Sequence, residues 1–166
     1  MEQVIRLRLM ADTRWLNPEE TQTWLNMWGV TQWLTTRLDE QLKKDSGVSL
    51  SDYFVLAQIS LAPDARLTMS DLAAVADMSP SRLSHTVARL EKRGWVSREQ
   101  SETDRRTNIA VLLPAGQEFL DQAAPGHVEC ARSYIFDPLT PEEAGALGTS
   151  LGKILDALDP PTLPRA

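Results

Sequence analysis

Seven lysine and arginine side chains fall within residues 79–106, a stretch of 28 residues with only four acidic ones. The seven are Arg82, Arg89, Lys92, Arg93, Arg98, Arg105 and Arg106. This stretch therefore has a net charge of +3, whereas the whole chain of 166 residues has a net charge of −6. A cationic segment in an acidic chain suits contact with a polyanion, because the acidic remainder repels non-specific contacts. The alternative is a set of solvated helix faces that happen to be rich in arginine.

A second combination with chemical potential is His127 and Cys130, three residues apart in a stretch that reads as helix. Such a pair suggests a redox sensor or a Cys–His nucleophile. We favour a small buried cysteine instead, because no third orienting group is recognisable and Arg132 is the only cation nearby. Two histidines and one cysteine in the chain give no metal-ligand spacing and exclude an internal disulfide. We therefore predict neither an enzyme nor a bound cofactor or metal.

The elements that position the cations begin with two short helices separated by a tight turn. Ser70 is the predicted cap of the first helix, DLAAVADM, and Ser79 the predicted cap of the second, with Pro80 at its first position. Apolar side chains of the second helix fall at i, i+4 and i+7, whereas hydroxyl, arginine and histidine side chains project away from them. The projecting residues are Ser81, Arg82, Ser84, His85 and Arg89. This division is what a helix entering a DNA major groove requires.

After Gly94 the apolar period changes from 3.6 to 2, so that WVSREQ and NIAVLL read as two strands. They are joined by a polar tip, SETDRRT, which carries Arg105 and Arg106. Two helices followed by such a hairpin predict a winged helix-turn-helix, in which the tip arginines enter the minor groove beside the major-groove helix. The predicted fold class is mainly α with a small β-hairpin wing.

Longer helices flank this lobe on both sides. Residues from Asn17 to Lys44 read as one helix, whose exposed tryptophans need another surface to cover them, most economically a partner chain. Pro114 opens a helix that Pro125 and the following glycine should kink or break, and Thr140 caps a last apolar helix. The charged N-terminal residues and the lack of a long apolar run predict a cytoplasmic protein without membrane insertion.

The segments SPSRLSHTVARLEKRGWV and DRRTNIAVLLPAG, with LTPEE before the last helix, resemble the MarR family of bacterial transcription regulators. The likeness covers roughly residues 18–158. It implies a homodimer whose first and last helices interlock, which binds a palindromic operator in double-stranded DNA, and which is often released by a small, frequently aromatic, anionic ligand. The predicted role is that of a repressor, and the sequence leaves activation open as the alternative.

With this resemblance, the sequence predicts five parts. They are an N-terminal extension (1–16), N-terminal dimerisation helices (17–62), the winged helix-turn-helix lobe (63–113), C-terminal dimerisation helices (114–158) and a tail (159–166). The alternative reading is a winged-helix module that binds proteins and no specific DNA sequence. The polar outer face of the second helix-turn-helix segment speaks against it, because docking helices usually expose aromatic or aliphatic anchors.

The resemblance also assigns roles to single residues. Arg106 matches the wing arginine that enters the minor groove, with Asp104 orienting it. The full set of expected DNA contacts is Ser79, Ser81, Arg82, Ser84, His85, Arg89, Arg105 and Arg106. Two positions depart from the family pattern: His85 stands where arginine is frequent, and Leu113 stands where a capping threonine is common.

Aromatic residues near the start of the chain offer a candidate effector site. Trp24, Trp28 and Tyr53 could together line a pocket for an aromatic ligand. The commoner role of such a stripe is packing in the core or at a dimer interface. The sequence leaves both interpretations open.

Overall fold

The computed structural model describes residues 13–101, 104 and 106–162. These residues divide into two units, with the division after residue 35. Across the described ranges, six α-helices accompany one three-stranded antiparallel sheet, which confirms the predicted class. None of the helices in these ranges combines the length and the apolar character that crossing a bilayer would need.

The first helix, α1 (Pro18–Ser46), begins and ends where the sequence predicts. The Asn17 side chain accepts a hydrogen bond from the backbone N–H of Glu20 at 2.8 Å, and the Glu20 carboxylate accepts one from the backbone N–H of Asn17 at 2.9 Å. This reciprocal pair satisfies two donors at the helix start. After the last turn, Gly47 has a φ of +66°, a conformation that glycine adopts without steric cost.

Three further helices follow, α2 (Leu50–Ser60), α3 (Met69–Val75) and α4 (Pro80–Lys92); α3 and α4 are the two helices of the predicted helix-turn-helix, and α2 precedes the predicted lobe. Ser49 caps α2 and Ser79 caps α4. Each serine hydroxyl accepts a hydrogen bond from the backbone N–H three residues later, at 3.1 Å and 3.3 Å respectively. The cap of α4 is the predicted one, so the start of this helix can be read from the sequence.

The predicted cap of α3 is wrong. Thr68 accepts the backbone N–H of Asp71 at 3.1 Å, and Ser70 already lies inside the helix. Thr68 has an extended backbone, with φ −64° and ψ 148°, as a cap requires. Its hydroxyl also donates to the Asp71 carboxylate at 2.7 Å, so the threonine and the aspartate hold each other in place.

Helix α4 ends just before Gly94, the residue after which the apolar period of the sequence changes from 3.6 to 2. Gly94 has a φ of +72°, and its N–H bonds to the carbonyl of Glu91 at 2.9 Å. The N–H of Trp95 bonds to the carbonyl of Leu90 at 3.1 Å. These two bonds form a Schellman motif, which satisfies carbonyls at the helix end and turns the chain into the first wing strand.

The sheet contains β1 (Arg66–Thr68), β2 (Val96–Gln100) and β3 (Asn108–Leu112) in the order β1-β3-β2. Strands β2 and β3 form the predicted hairpin, with Val96 opposite Leu112. Strand β1 pairs with the other edge of β3, and the sequence analysis missed it. Three residues are too few to show an alternating apolar pattern, so no sequence signal marks this strand.

The core lies where α2, α3 and α4 meet the sheet and α5 (Pro114–Ala131). Its members are Val55, Leu56, Ile59, Ala62, Leu67, Leu72, Ala73, Leu83, Val87, Leu90, Val96, Ala110 and Leu120. Trp95 stacks on Phe119 at the edge of this core, with ring centroids 4.0 Å apart. The apolar stripe of α4 is thus fixed from several sides, and this fixes the direction in which its other face points.

Helix α5 runs through Pro125 without the predicted break. Proline costs the helix one backbone hydrogen bond, and the next residue, Gly126, approaches α1 closely: a Cβ at Gly126 would lie 3.2 Å from the Gln41 side chain. A π-helical turn, Arg132–Phe136, follows, and then α6 (Pro141–Leu158). Thr140 caps α6 in a capping box, as the sequence predicts.

Candidate nucleic-acid interface

Helix α4 has one buried and one exposed face. The buried residues are Leu83, Thr86, Val87 and Leu90, each at most 2% exposed. On the opposite side Ser81, Arg82, His85 and Arg89 are exposed, and Ser84 is half-buried. The predicted division of the helix is therefore present, with Thr86 as a buried polar residue that the sequence analysis missed. A Thr hydroxyl inside an apolar stripe needs a partner, and Arg89 supplies it with a bond of 3.1 Å.

An open cleft of about 530 Å³ lies at the start of α4. It is lined by Ser49, Ser51, Ser79, Ser81, Arg82, His85, Thr86 and Arg89. Two of these residues, Ser49 and Ser79, are the caps of α2 and α4, so both helix N-termini adjoin the cleft. Helix N-termini carry partial positive charge and unpaired N–H groups, and arginine adds full charge. The cleft therefore favours an anion such as phosphate.

Two arginines of α4 are held at this cleft by α2. The Arg89 guanidinium donates to the Asp52 carboxylate at 2.6 Å, and the Arg82 guanidinium lies 3.4 Å from the Ser51 hydroxyl. Asp52 is nearly buried, at 14% exposed, whereas the Arg89 side chain is 53% exposed. Amphipathic spacing places Arg82 and Arg89 on this face. Their partners Ser51 and Asp52 were not predicted, because they lie more than thirty residues earlier in the chain.

The wing tip is organised by Asp104. Its carboxylate accepts the backbone N–H of Arg106 at 2.9 Å and the Thr107 hydroxyl at 3.1 Å. Asp104 thus holds the backbone that carries Arg106, and the Arg106 side chain is exposed. Arg105, the other predicted tip contact, lies outside the described residues.

Other cations of the segment are engaged by the protein itself. Arg98 on β2 makes two bonds to the Glu91 carboxylate of α4, at 3.0 Å and 2.6 Å. Arg93 donates to the backbone carbonyl of Gly47 at 2.9 Å and lies over the Trp95 ring, 4.8 Å from its centroid. These two arginines contribute to the charge count of the sequence but are oriented toward protein partners.

The candidate effector residues fall into both units. In the first unit the rings of Trp24 and Trp28 have centroids 5.9 Å apart, and both side chains are about half exposed. In the second unit Tyr53 packs against His127, with ring centroids 4.6 Å apart. Burial raises the pKa of Tyr53 and lowers the pKa of His127, so both groups are held neutral near pH 7.

A cavity of about 400 Å³ in the second unit was not foreseen from the sequence. It is lined by Leu38, Leu50, Ser51, Phe54, Ala76, Met78, Arg82 and His127. His127 also has a buried ring nitrogen, Nδ1, without a hydrogen-bond partner. The lining comes from five separate stretches of chain, so no local sequence spacing indicates the cavity.

Cys130 is partly buried on α5. Burial and the nearby Asp45 carboxylate raise the pKa of the thiol above its ordinary value. A raised pKa keeps the sulfur protonated at neutral pH, which is the opposite of what a nucleophile or a redox sensor needs. Within the described residues, no group of three or more His, Cys, Asp or Glu side chains is arranged to hold a metal ion.

Comparisons with known proteins agree with this arrangement. The sequence model of the MarR family matches residues 46–107. The solved structure of Sco3205 from Streptomyces coelicolor, a MarR family transcriptional regulator in complex with DNA, is 41% identical and superposes with a TM-score of 0.82, covering 90% of this chain and 93% of that one. The chain belongs to the MarR family of transcriptional regulators.

Two further relatives extend this result over most of the chain. AbsC, another MarR family transcriptional regulator from Streptomyces coelicolor, is 37% identical with a TM-score of 0.80, over 89% of this chain and 99% of that one. The uncharacterized HTH-type transcriptional regulator YfiV from Bacillus subtilis is 30% identical over 146 residues, which are 87% of this chain and 88% of its own. The resemblance inferred from the sequence is confirmed, and the chain is a transcriptional regulator.

Proposed function

We propose that the protein is a homodimeric repressor that binds a palindromic operator in double-stranded DNA and is released by a small aromatic or anionic effector. The observation that carries the DNA-binding part is the cleft between the N-termini of α2 and α4. It combines two helix N-termini, four serine hydroxyls and two arginines on one exposed face. This is a phosphate-binding composition placed beside a helix whose other face is fixed in the core.

Within this proposal, α4 enters the major groove and the wing enters the minor groove. Arg82 and His85 lie on the exposed face of α4 and are the candidate base-reading residues, whereas the short Ser81 and Ser84 allow close approach. Arg106, on a backbone ordered by Asp104, is the minor-groove contact, together with Arg105. That Sco3205 was crystallised with DNA supports this arrangement for a relative 41% identical.

Dimerisation is supported by apolar faces that the described chain leaves exposed. On α6, Leu151, Leu155 and Leu158 are 44%, 53% and 69% exposed. In the first unit Trp24 and Trp28 are similarly exposed. Apolar surface of this extent usually marks an interaction site. We assign residues 17–62 and 114–158 to the interface between two copies, and a two-fold dimer accounts for a palindromic operator, since its symmetry matches that of the protein.

The effector part of the proposal rests on the cavity in the second unit. Phe54 and Met78 give it apolar walls, and Arg82 and His127 give it two polar groups, a composition suited to an aromatic carboxylate. Arg82 also lines the DNA-facing cleft, so an anion in the cavity would compete with phosphate for one guanidinium. Trp24 and Trp28 in the first unit remain the alternative effector site. Benzoate, titrated into the protein–DNA complex, should lower the anisotropy of labelled DNA. An unchanged signal up to its solubility limit would count against this part.

The test of DNA binding begins with a selection of duplexes from a random-sequence library by the purified full chain. The recovered operator is then titrated by fluorescence anisotropy against a random duplex of equal length. We expect a palindromic consensus, two protomers per site, and salt-sensitive binding much tighter than to the random duplex. Arg106→Ala should weaken binding to both duplexes, whereas the matched loss of an exposed cation in Lys44→Ala should not.

Three other measurements test the specificity, the dimer and the repressor role separately. If selection returns no consensus, and affinity for every duplex is the same, the protein-interaction module becomes the better reading. Analytical ultracentrifugation at micromolar concentration tests the dimer independently, and a monomer would contradict the palindromic operator. A reporter gene placed behind the recovered operator separates repression, in which the protein lowers expression, from activation.

A further inference from the structure

An ion pair joins α2 to the recognition helix beneath the DNA-facing cleft. Asp52 lies in the first turn of α2, and its Oδ1 accepts a bond of 2.6 Å from Nη2 of Arg89. The same Nη2 donates to the Thr86 hydroxyl at 3.1 Å. Thr86 is 2% exposed and cannot move aside. One end of the guanidinium is therefore fixed by two partners. The other terminal nitrogen, Nη1, donates to the backbone carbonyl of His85 at 3.5 Å, and the side chain lines the cleft with its remaining N–H groups still available.

The carboxylate is placed behind the cleft and not in its wall. Asp52 is only 14% exposed and is absent from the cleft lining, which contains Arg82, His85, Arg89 and hydroxyl groups. The Arg89 side chain is 53% exposed, so an incoming phosphate can reach it while the pair persists. A guanidinium has five N–H donors in a fixed fork and can serve a carboxylate and a phosphate together.

The ion pair between Asp52 and Arg89 adds little to the stability of the contact between α2 and α4. Helices α2 and α4 are already joined through fully buried side chains, among them Leu56, Ile59 and Leu83, each 0% exposed. An ion pair with one partner half exposed adds little to such a contact. Orientation of Arg89 is the remaining physical consequence of the geometry.

We propose that Asp52 is a positioning residue that holds Arg89 as a fixed phosphate clamp, and that this clamp sets operator discrimination. This inference rests on the proposed DNA binding. A phosphate contact of fixed geometry fixes the register of the protein on the duplex, so that only an operator of the right shape satisfies the base contacts simultaneously. A mobile Arg89 would contact phosphates in DNA of any sequence. By fixing Arg89, Asp52 therefore lowers the affinity for non-specific DNA and keeps the protein in one register on the operator.

The test measures the ratio of operator affinity to random-duplex affinity for full-length variants at one salt concentration. Asp52→Asn removes the charge, and we expect the ratio to fall about fivefold, mainly through tighter binding to random DNA. Asp52→Glu keeps the charge but moves the carboxylate by one methylene, and the ratio should fall without tighter random binding. Asp64→Asn is the matched control: this exposed aspartate lies beyond the other end of α2, and asparagine tolerates its φ of +55°.

A double-mutant cycle with Arg89→Ala shows whether Asp52 acts through Arg89. In the Arg89→Ala background, Asp52→Asn should no longer change the ratio. An unchanged ratio in both Asp52 variants, or an equal change in the Arg89→Ala background, would overturn the inference while leaving DNA binding intact. Equal losses of affinity for both duplexes, with a lower melting temperature, would show a structural role only and would also overturn it. A wild-type protein without operator preference would overturn the proposed function and this inference together.

Discussion

The salt dependence of DNA binding tests how the cations of residues 79–106 are divided between DNA and protein. Each phosphate neutralised contributes about −0.9 to the slope of log K against log salt. If all seven cations of each protomer met phosphates, a dimer would neutralise about fourteen and the slope would be about −13. The structure removes Arg93 and Arg98, which face protein partners. With five cations per protomer the slope should be about −9.

Single-residue variants test which cations contact phosphates without requiring the total number of phosphates that the dimer neutralises. Arg98→Gln should leave the slope unchanged, because two short bonds already join this guanidinium to Glu91. On a random duplex, where the base-reading Arg82 has no cognate base, its guanidinium should neutralise one phosphate in each half-site, so Arg82→Gln should flatten the slope by about 1.8. Fluorescence anisotropy of a random duplex at six KCl concentrations between about 50 and 300 mM resolves this difference, since the affinity spans several decades there.

The refuting result is a slope change in Arg98→Gln as large as that in Arg82→Gln. It would mean that Arg98 leaves Glu91 on binding DNA, and that the ion pairs of the free protein do not predict the contacts of the complex. Glu91→Gln is the reciprocal test, since it removes the only described carboxylate that pairs with Arg98. Its slope should steepen by at most about 1.8 if the released guanidinium reaches a phosphate.

Three further predictions concern stability and reactivity. Leu113 caps α5 without a side-chain bond, so Leu113→Thr should exceed Leu113→Val by about 1 kcal/mol in unfolding free energy by urea titration. Gly116→Ala should lower that free energy by about 1–3 kcal/mol, because its Cβ would clash with the backbone carbonyl oxygen of Trp95 and would lie 2.8 Å from the Leu112 side chain; an unchanged melting temperature would refute these close contacts. The raised pKa of Cys130 predicts slower reaction with a disulfide reagent at pH 7 than free cysteine, a rate that rises as pH passes the pKa, and unaltered DNA affinity in Cys130→Ser.

The elements with strong local signals could be predicted from the sequence. Asn17 and Thr140 are capping residue types that each precede a glutamate at the third helical position, and both form reciprocal caps. The prediction that Ser70 caps α3 is wrong because Thr68, two residues earlier, has the same capping ability and an extended backbone. Pro125 does not break α5, although the sequence predicts a kink or a break there, and the neighbouring Gly126 lies close to the Gln41 side chain of α1. Where two local choices were close, tertiary contacts decided between them.

The sequence was enough to predict which side chains of α4 are exposed, but not which residues they pair with. Amphipathic spacing was enough to place Arg82, His85 and Arg89 on the exposed side of α4. It could not show that Asp52 holds Arg89, because the two residues are 37 positions apart and meet only once α2 packs on α4. The cavity beside His127 was not predicted for the same reason, because the residues that line it come together only in the folded chain. Long-range pairing, and not residue type, was the missing information.

Two arginines that pair with glutamates of the protein also link the wing to its neighbours. Arg98 ties β2 to α4 through Glu91, and Arg66 ties β1 to β2 through Glu99 at 2.6 Å. All four side chains are between 27% and 46% exposed, so these pairs add little stability. Their geometry is specific nonetheless, since the Arg98 pair is bidentate and fixes the angle between strand and helix. The charge that the sequence count assigns to DNA contact therefore helps to set the position of the wing relative to the recognition helix.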